Sequence, residues 1–204
     1  MNKNKAVFLT ITIILLLLVV FFSIYYYKIM KNGNTMINKS EEEILEYILN
    51  MQSYDAKMNI TIETNKNKTQ YVVAQNVNGI ISKQEVLEPE NIAGVITEYD
   101  GTNLKIINNK LDLSTTFENY QYITDNRLWL NSFIEQYKDS DNARKSINEN
   151  DEIVLEFKKD DNQYNVYEKL YIDKKTAKPT KLIVQDINKK TLVYILYTEI
   201  QISK

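Results

Sequence analysis

An uncharged run from Ala6 to Tyr27, AVFLTITIILLLLVVFFSIYYY, constrains this chain more than any other feature. As a helix its 22 residues cover about 33 Å, against a bilayer hydrocarbon core of about 30 Å. Tyr25, Tyr26 and Tyr27 close the run where an interfacial aromatic belt is expected, and Lys28 and Lys31 follow. A cleaved signal peptide has a shorter apolar region and a small-residue cleavage site, whereas this run ends with only Ser23 among bulky neighbours. The run therefore predicts an uncleaved transmembrane anchor over 6–27. It is preceded by a short cytoplasmic tail, 1–5, and followed by a polar tether, 28–39.

Residues 40–204 remain, a length near the middle of the single-domain range, and one core is the default. All 27 acidic residues follow Ser40, whereas Lys3, Lys5, Lys28, Lys31 and Lys39 precede it, so the distal part has 20 cations against 27 anions. That balance argues against nucleic acid as a partner. Positive charge on both flanks of the run makes the positive-inside rule nearly a tie. The five-residue tail and the large acidic domain favour the N-terminus inside and the C-terminal domain extracytoplasmic, a single-pass arrangement at the cell membrane.

Neither Cys nor His occurs. This removes thiol nucleophiles, disulfides, histidine bases, the usual zinc, iron or copper ligands, and a lipid-modified cysteine. Asp139-x-Asp141 has the spacing of a calcium loop, but Ala143 stands where a third oxygen ligand would be and no turn glycine follows. Asp160 and Asp161 beside Lys158 and Lys159 read as a solvated hairpin tip. The four glycines are too scattered for a phosphate loop. No catalytic, metal or cofactor-binding residue is assigned, and the chain is expected to be non-enzymatic.

Ser40 and Glu43 form a capping box, and Ile44, Leu45, Ile48 and Leu49 then recur at helical spacing. From Tyr54 the period changes to two: Ala56, Met58, Ile60 and Ile62 alternate with Lys57, Asn59, Thr61 and Glu63. Whether Met58, Ile60 and Ile62 face a packed core or an open groove is left to the tertiary structure. Further strands are expected around Tyr71–Val77, Ile80–Leu87, Val95–Tyr99, Leu104–Ile107 and Leu111–Thr116, with Asn78-Gly79 and Asp100-Gly101 as turns.

A second helix is expected where Leu130, Phe133, Ile134 and Tyr137 fall at i, i+3, i+4 and i+7, with Thr124 or Asp125 as its cap. Residues 139–150 read as a polar loop. Ile153–Phe157, Val166–Ile172, Thr180–Asp186 and Thr191–Ile202 form a second meander. About nine antiparallel strands with two helices predict an α+β fold, a sheet curled into an open half-barrel around the helices. Arg127 and Arg144 read first as surface ion pairs. Trp129 and the tyrosines read first as core and cross-strand pairs. Partner-contact residues are not assigned.

The stretch 170–202, LYIDKKTAKPTKLIVQDINKKTLVYILYTEIQI, resembles the C-terminal strands of LolA-like lipoprotein carrier folds, and 99–111, YDGTNLKIINNKL, their central hairpin. With SEEEILEYILNMQSYDAKMNITI at 40–62, the pattern is similar to the GerS-like germination lipoprotein family of spore-forming clostridia, here without the cysteine that such lipoproteins carry. The resemblance implies an unclosed LolA-like half-barrel with helices on its concave side, a place in the envelope of the developing spore, and a role in sporulation and germination. It also implies a protein partner, a cortex peptidoglycan amidase. The alternative it leaves open is a lipid or lipoprotein carrier holding acyl chains in the concavity.

Overall fold

The computed structural model describes residues 39–120, 128–159 and 166–203, together with Leu18 and Ser23. The chain divides into two compact units, 1–38 and 39–204. Of the expected anchor over 6–27, only Leu18 and Ser23 are described, both helical and exposed, and the rest lies outside the described residues. Among the described residues no helix is long and apolar enough to cross a membrane. The two described helices have 9 and 10 residues, against about 20 needed for a span. The N-terminal transmembrane helix and the single-pass localisation are corrected accordingly. The described fold is a sheet of eleven strands with two short helices.

Helix α1, Glu41–Leu49, starts as its residues dictate. The Ser40 hydroxyl accepts from Glu43 N at 3.2 Å while Ser40 N donates to the Glu43 carboxylate at 2.7 Å, so two of the donors orphaned at a helix start are satisfied. Ile44 and Ile48 are fully buried. Lys174 and Lys145 reach Glu41 in the first turn, at 3.2 and 3.7 Å.

The strands are β1 (Ser53–Glu63), β2 (Lys68–Asn78), β3 (Ile81–Glu88), β4 (Val95–Tyr99), β5 (Leu104–Asn108), β6 (Leu113–Phe117), β7 (Arg144–Ile147), β8 (Glu152–Lys158), β9 (Tyr167–Asp173), β10 (Lys178–Gln185) and β11 (Thr191–Ser203). Helix α2, Leu130–Asp139, lies between β6 and β7 in the chain. All the strands form one antiparallel sheet in the order β6-β5-β4-β3-β2-β1-β11-β10-β9-β8-β7. Two meanders, β1 to β6 and β7 to β11, are thus joined where the first strand pairs with the last, Tyr54 opposite Ile202 and Met58 opposite Tyr197.

The expected alternation in β1 holds. Tyr54, Ala56, Met58 and Ile60 are buried, while Asp55, Lys57 and Asn59 are exposed. Register carries this inner face across the sheet, to Val73 and Val77 on β2 and to Leu182, Leu170 and Leu155 on β10, β9 and β8. All five are buried, each apolar side chain contributing roughly 1.5–3 kcal/mol.

Local details depart from the expectations in three places. Asn78 pairs with Ile81, so the β2–β3 loop is Gly79-Ile80, with Gly79 at φ +59° at the first loop position, where a two-residue hairpin of the II′ kind favours glycine. β7 falls inside the expected polar loop 139–150. Its four residues are all exposed, so no period-two burial marked it. The residue at the N-cap of α2 is Trp129, which makes no side-chain capping bond; Thr124 and Asp125 lie outside the described residues.

Candidate functional site

Helix α2 determines what the inner face can offer. Its stripe of Leu130, Phe133, Ile134 and Tyr137 is buried, as is Trp129, 1% exposed. Phe133 meets Phe157 of β8 at 5.3 Å between ring centroids. At the start of the helix, the Tyr54 hydroxyl accepts from Leu130 N at 3.3 Å and donates to Gln75 Oε1 at 2.9 Å. The Gln75 amide in turn donates to Leu128 O at 3.1 Å and to Gln84 Oε1 at 2.8 Å. This network fastens α2 to β1, β2 and β3 and satisfies polar groups that burial would otherwise leave stranded. Burial, then the nearby Tyr197, push the Tyr54 phenol well above its ordinary range, while the bond with Leu130 N partly offsets them.

The inner face from β1 to β8 is therefore filled by the protein's own side chains. Met58 and Ile60 answer the question the sequence left open, for both are buried in a packed core, and Ile62 is half-buried. Trp129 belongs to the same core. Sequence reasoning missed Glu168, fully buried on β9 and paired with Lys159 at 3.1 Å; its neighbours in register, Phe157 and Val184, are apolar, and nothing local marks it.

Helix α2 covers only part of the sheet. Its start is tied to β1 and β2 through Tyr54 and Gln75, and its Phe133 meets Phe157 of β8. In the sheet β4 to β6 lie on the other side of β1 from β8. There the inner face carries Leu104, which is buried, and then Ile106, Leu113 and Phe117, which are exposed, Leu113 at 60% and Phe117 at 44%. Tyr120 extends the apolar patch, 6.2 Å from the Phe117 ring, and Leu111, two residues before β6, is exposed as well. A run of exposed apolar side chains of this kind marks an interaction surface.

Charge surrounds this end asymmetrically. Residues 81–120 hold seven acidic residues and three lysines. Asp100 caps the β4–β5 turn by accepting from Asn103 N at 2.7 Å and Thr102 N at 2.9 Å, and those bonds hold its carboxyl below the ordinary range. The turn is also tight: Gly101 has φ +97°, and a Cβ there would meet Ile80 Cδ1 at 3.0 Å.

Other surface features are less suited to a partner's apolar side chains. An open groove of about 420 Å³ crosses the other face of the sheet, floored by Ala74 and lined with Asp55, Lys57, Lys83, Glu85 and Glu199. Arg144 lies in a smaller cleft of about 200 Å³ with Lys158, Tyr167 and Lys189; opposite it in register is Glu156, which bonds Lys169 at 3.0 Å. Arg127, Asp160 and Asp161 lie outside the described residues. Asp139 and Asp141 are exposed, and among the described residues no three His, Cys, Asp or Glu are grouped to hold a metal ion.

Comparison with known proteins adds a family. The family model described as "Sporulation protein YdcC-like" matches residues 10–204. No curated protein matches in sequence. Among solved structures, an uncharacterized conserved protein from Thermus thermophilus is 12% identical, with 81% of this chain and 89% of that chain covered and a TM-score of 0.51. The CwlD amidase in complex with the GerS lipoprotein, from Clostridioides difficile, matches at 23% identity over 79% of this chain and 95% of that chain, also with a TM-score of 0.51. The LolA superfamily protein NE2245 from Nitrosomonas europaea overlaps at 13% identity, over 82% of this chain and 95% of that one, but its TM-score of 0.39 is too low to argue from. At these identities the first two similarities establish the fold alone.

Proposed function

This chain belongs to the sporulation protein YdcC-like family, and from that premise we propose that it is a non-catalytic binding protein whose partner is a cortex peptidoglycan amidase. The observation that carries the proposal is the uncovered apolar end of the sheet, where Ile106, Leu113 and Phe117 are exposed on a face that is packed shut elsewhere. A solvated monomer has little use for such a patch, whereas a partner surface would bury it. The structurally similar GerS lipoprotein is found in complex with an amidase, which supports the choice of partner class. The chain's lack of Cys and His supports a role in which the chemistry resides in the partner.

The carrier alternative needs a cavity for acyl chains. The inner face from β1 to β8 holds Met58, Ile60, Trp129 and Phe133 instead, all buried, and the larger open groove is lined with charged groups. No observation among the described residues favours that alternative. The test of the proposal is to mix the purified chain with the sporulation amidase of the same organism and follow complex formation by size exclusion and calorimetry. A defined complex, weakened when Leu113 and Phe117 are replaced by serine, is the expected result. Absence of any complex, together with unchanged cortex muropeptides in a deletion strain, refutes it.

A further inference from the structure

The two edges of the sheet are built differently. Strand β7 ends one side with the sequence RKSI, two cations in four exposed residues, a usual way of keeping an edge from pairing with another chain. Strand β6 ends the other with LSTTF, five exposed residues without a charge, a proline or a glycine. Among the described residues its one partner in the sheet is β5, from Leu104 opposite Phe117 to Asn108 opposite Leu113. Along its outer side the backbone therefore offers N–H and C=O groups to which no described strand bonds, with Leu113 and Phe117 exposed on the inner face. This is the arrangement that β-strand addition uses: backbone bonds supply affinity, and alternate side chains supply choice.

Charge at the two ends of β6 selects the occupant. Asp112 precedes the strand and Glu118 follows it, both exposed. A second copy pairing antiparallel about Thr115 would bring Asp112 opposite Glu118 twice, and like charges facing each other across strands are destabilising. The same two acids attract a strand with a cation at each end. Because side chains alternate along a strand, the residues meeting Leu113, Thr115 and Phe117 lie two apart.

We propose that β6 is the docking edge for an extended segment of the partner protein, with apolar residues at alternate positions over about five residues and a lysine or arginine at each end. This deepens the partner-binding reading and rests on it for the nature of the occupant.

The test uses the full chain and two fluorescent peptides, KVTVTVK and its charge-reversed counterpart EVTVTVE, followed by anisotropy. The first binds, and more tightly than the second by about three- to tenfold at low salt, the scale of two exposed charge pairs. Asp112→Asn with Glu118→Gln, which keeps size and shape, brings the two within about twofold. Proline at Thr115 and, in a separate variant, at Thr116 covers both alternations of the strand. The variant that keeps the wild-type melting temperature retains its β5 bonds and loses the peptide.

Equal binding of both peptides, binding of neither, or binding that survives both prolines overturns the proposal. So does a wild-type dimer in sedimentation that a β6 proline abolishes, since a second copy would then own the edge. Normal capture of the amidase by both proline variants refutes the edge and leaves the binding reading intact. Failure of the wild-type chain to bind any sporulation amidase refutes that reading without touching the peptide result.

Discussion

Replacing Tyr54 with phenylalanine tests whether the polar network at the start of α2 holds the helix onto the sheet. The hydroxyl donates to Gln75 Oε1 at 2.9 Å and accepts from Leu130 N at 3.3 Å. Both bonds are buried, and the second is the longer and weaker. Each net bond is worth roughly 0.5–1.5 kcal/mol, and a buried group left without its partner costs roughly 1–3 kcal/mol. Gln75 keeps its donors to Gln84 and Leu128, so only Oε1 and the Leu130 N–H are stranded. The expected loss is about 2–4 kcal/mol, or roughly 4–16 °C in melting temperature for a domain of this size.

Tyr197 supplies the control. It is buried on the same face, and among the described residues its hydroxyl has no hydrogen-bond partner, so Tyr197→Phe removes a stranded polar group and leaves stability unchanged or raised by about 1 kcal/mol. The assay is equilibrium urea unfolding followed by the fluorescence of Trp129, the single tryptophan of the chain, which sits at the junction being tested. If both variants lie within about 0.5 kcal/mol of the wild type, the network does not anchor the helix. If Tyr197→Phe is the more damaging, the assignment of the two hydroxyls is reversed.

Glu152 gives a pH dependence of defined sign. Burial pushes its carboxyl up, but the Thr180 hydroxyl, the Asn148 amide and the Lys181 ammonium together outweigh burial and hold it below the ordinary range. A depressed folded-state value gives stability that is present above the unfolded value, about 4.3, and is lost as pH falls through the folded value; acid titration of Glu152→Gln should therefore lack part of the wild-type decline. Gly101→Ala forces a Cβ into φ +97° and against Ile80, which should lower stability by roughly 1–3 kcal/mol in denaturant melts. Glu168→Leu leaves the largely buried Lys159 without its carboxylate and should cost about 3–5 kcal/mol, while adding Lys159→Met should recover most of it. A double variant no better than the single would show that the pair contributes through other contacts.

Strand identity was legible wherever burial falls on one face. Tyr54, Ala56, Met58 and Ile60 alternate with polar residues, and the structure buries that set. β7 was illegible for the converse reason: an edge strand exposed along all four residues has no alternation to read. β6 shows a related gap, since the strand expected over Leu111–Thr116 takes in Leu113 but stops short of Phe117, and only the lack of a neighbouring strand among the described residues makes the two a surface. The buried Glu168 pair and the Tyr54 network involve partners from 9 to 76 residues apart, beyond any local pattern.

By itself the sequence determined the local geometry: the capping box at Ser40, the helical stripe on α2, and which side of each central strand is apolar. These follow from residues a few positions apart, because 3.6-residue and two-residue periods are properties of a single element. The anchor inferred from 6–27 was a reading of the same kind, from length and hydropathy, and the described helices do not reach a membrane-spanning length. Tertiary structure decided that β1 pairs with β11, so that two meanders become one sheet. It decided also that α2 covers one part of that sheet and leaves β6 open. Pairing of strands more than a hundred residues apart depends on the fit of whole faces and on where a helix of limited length can lie, and no short window of sequence contains either.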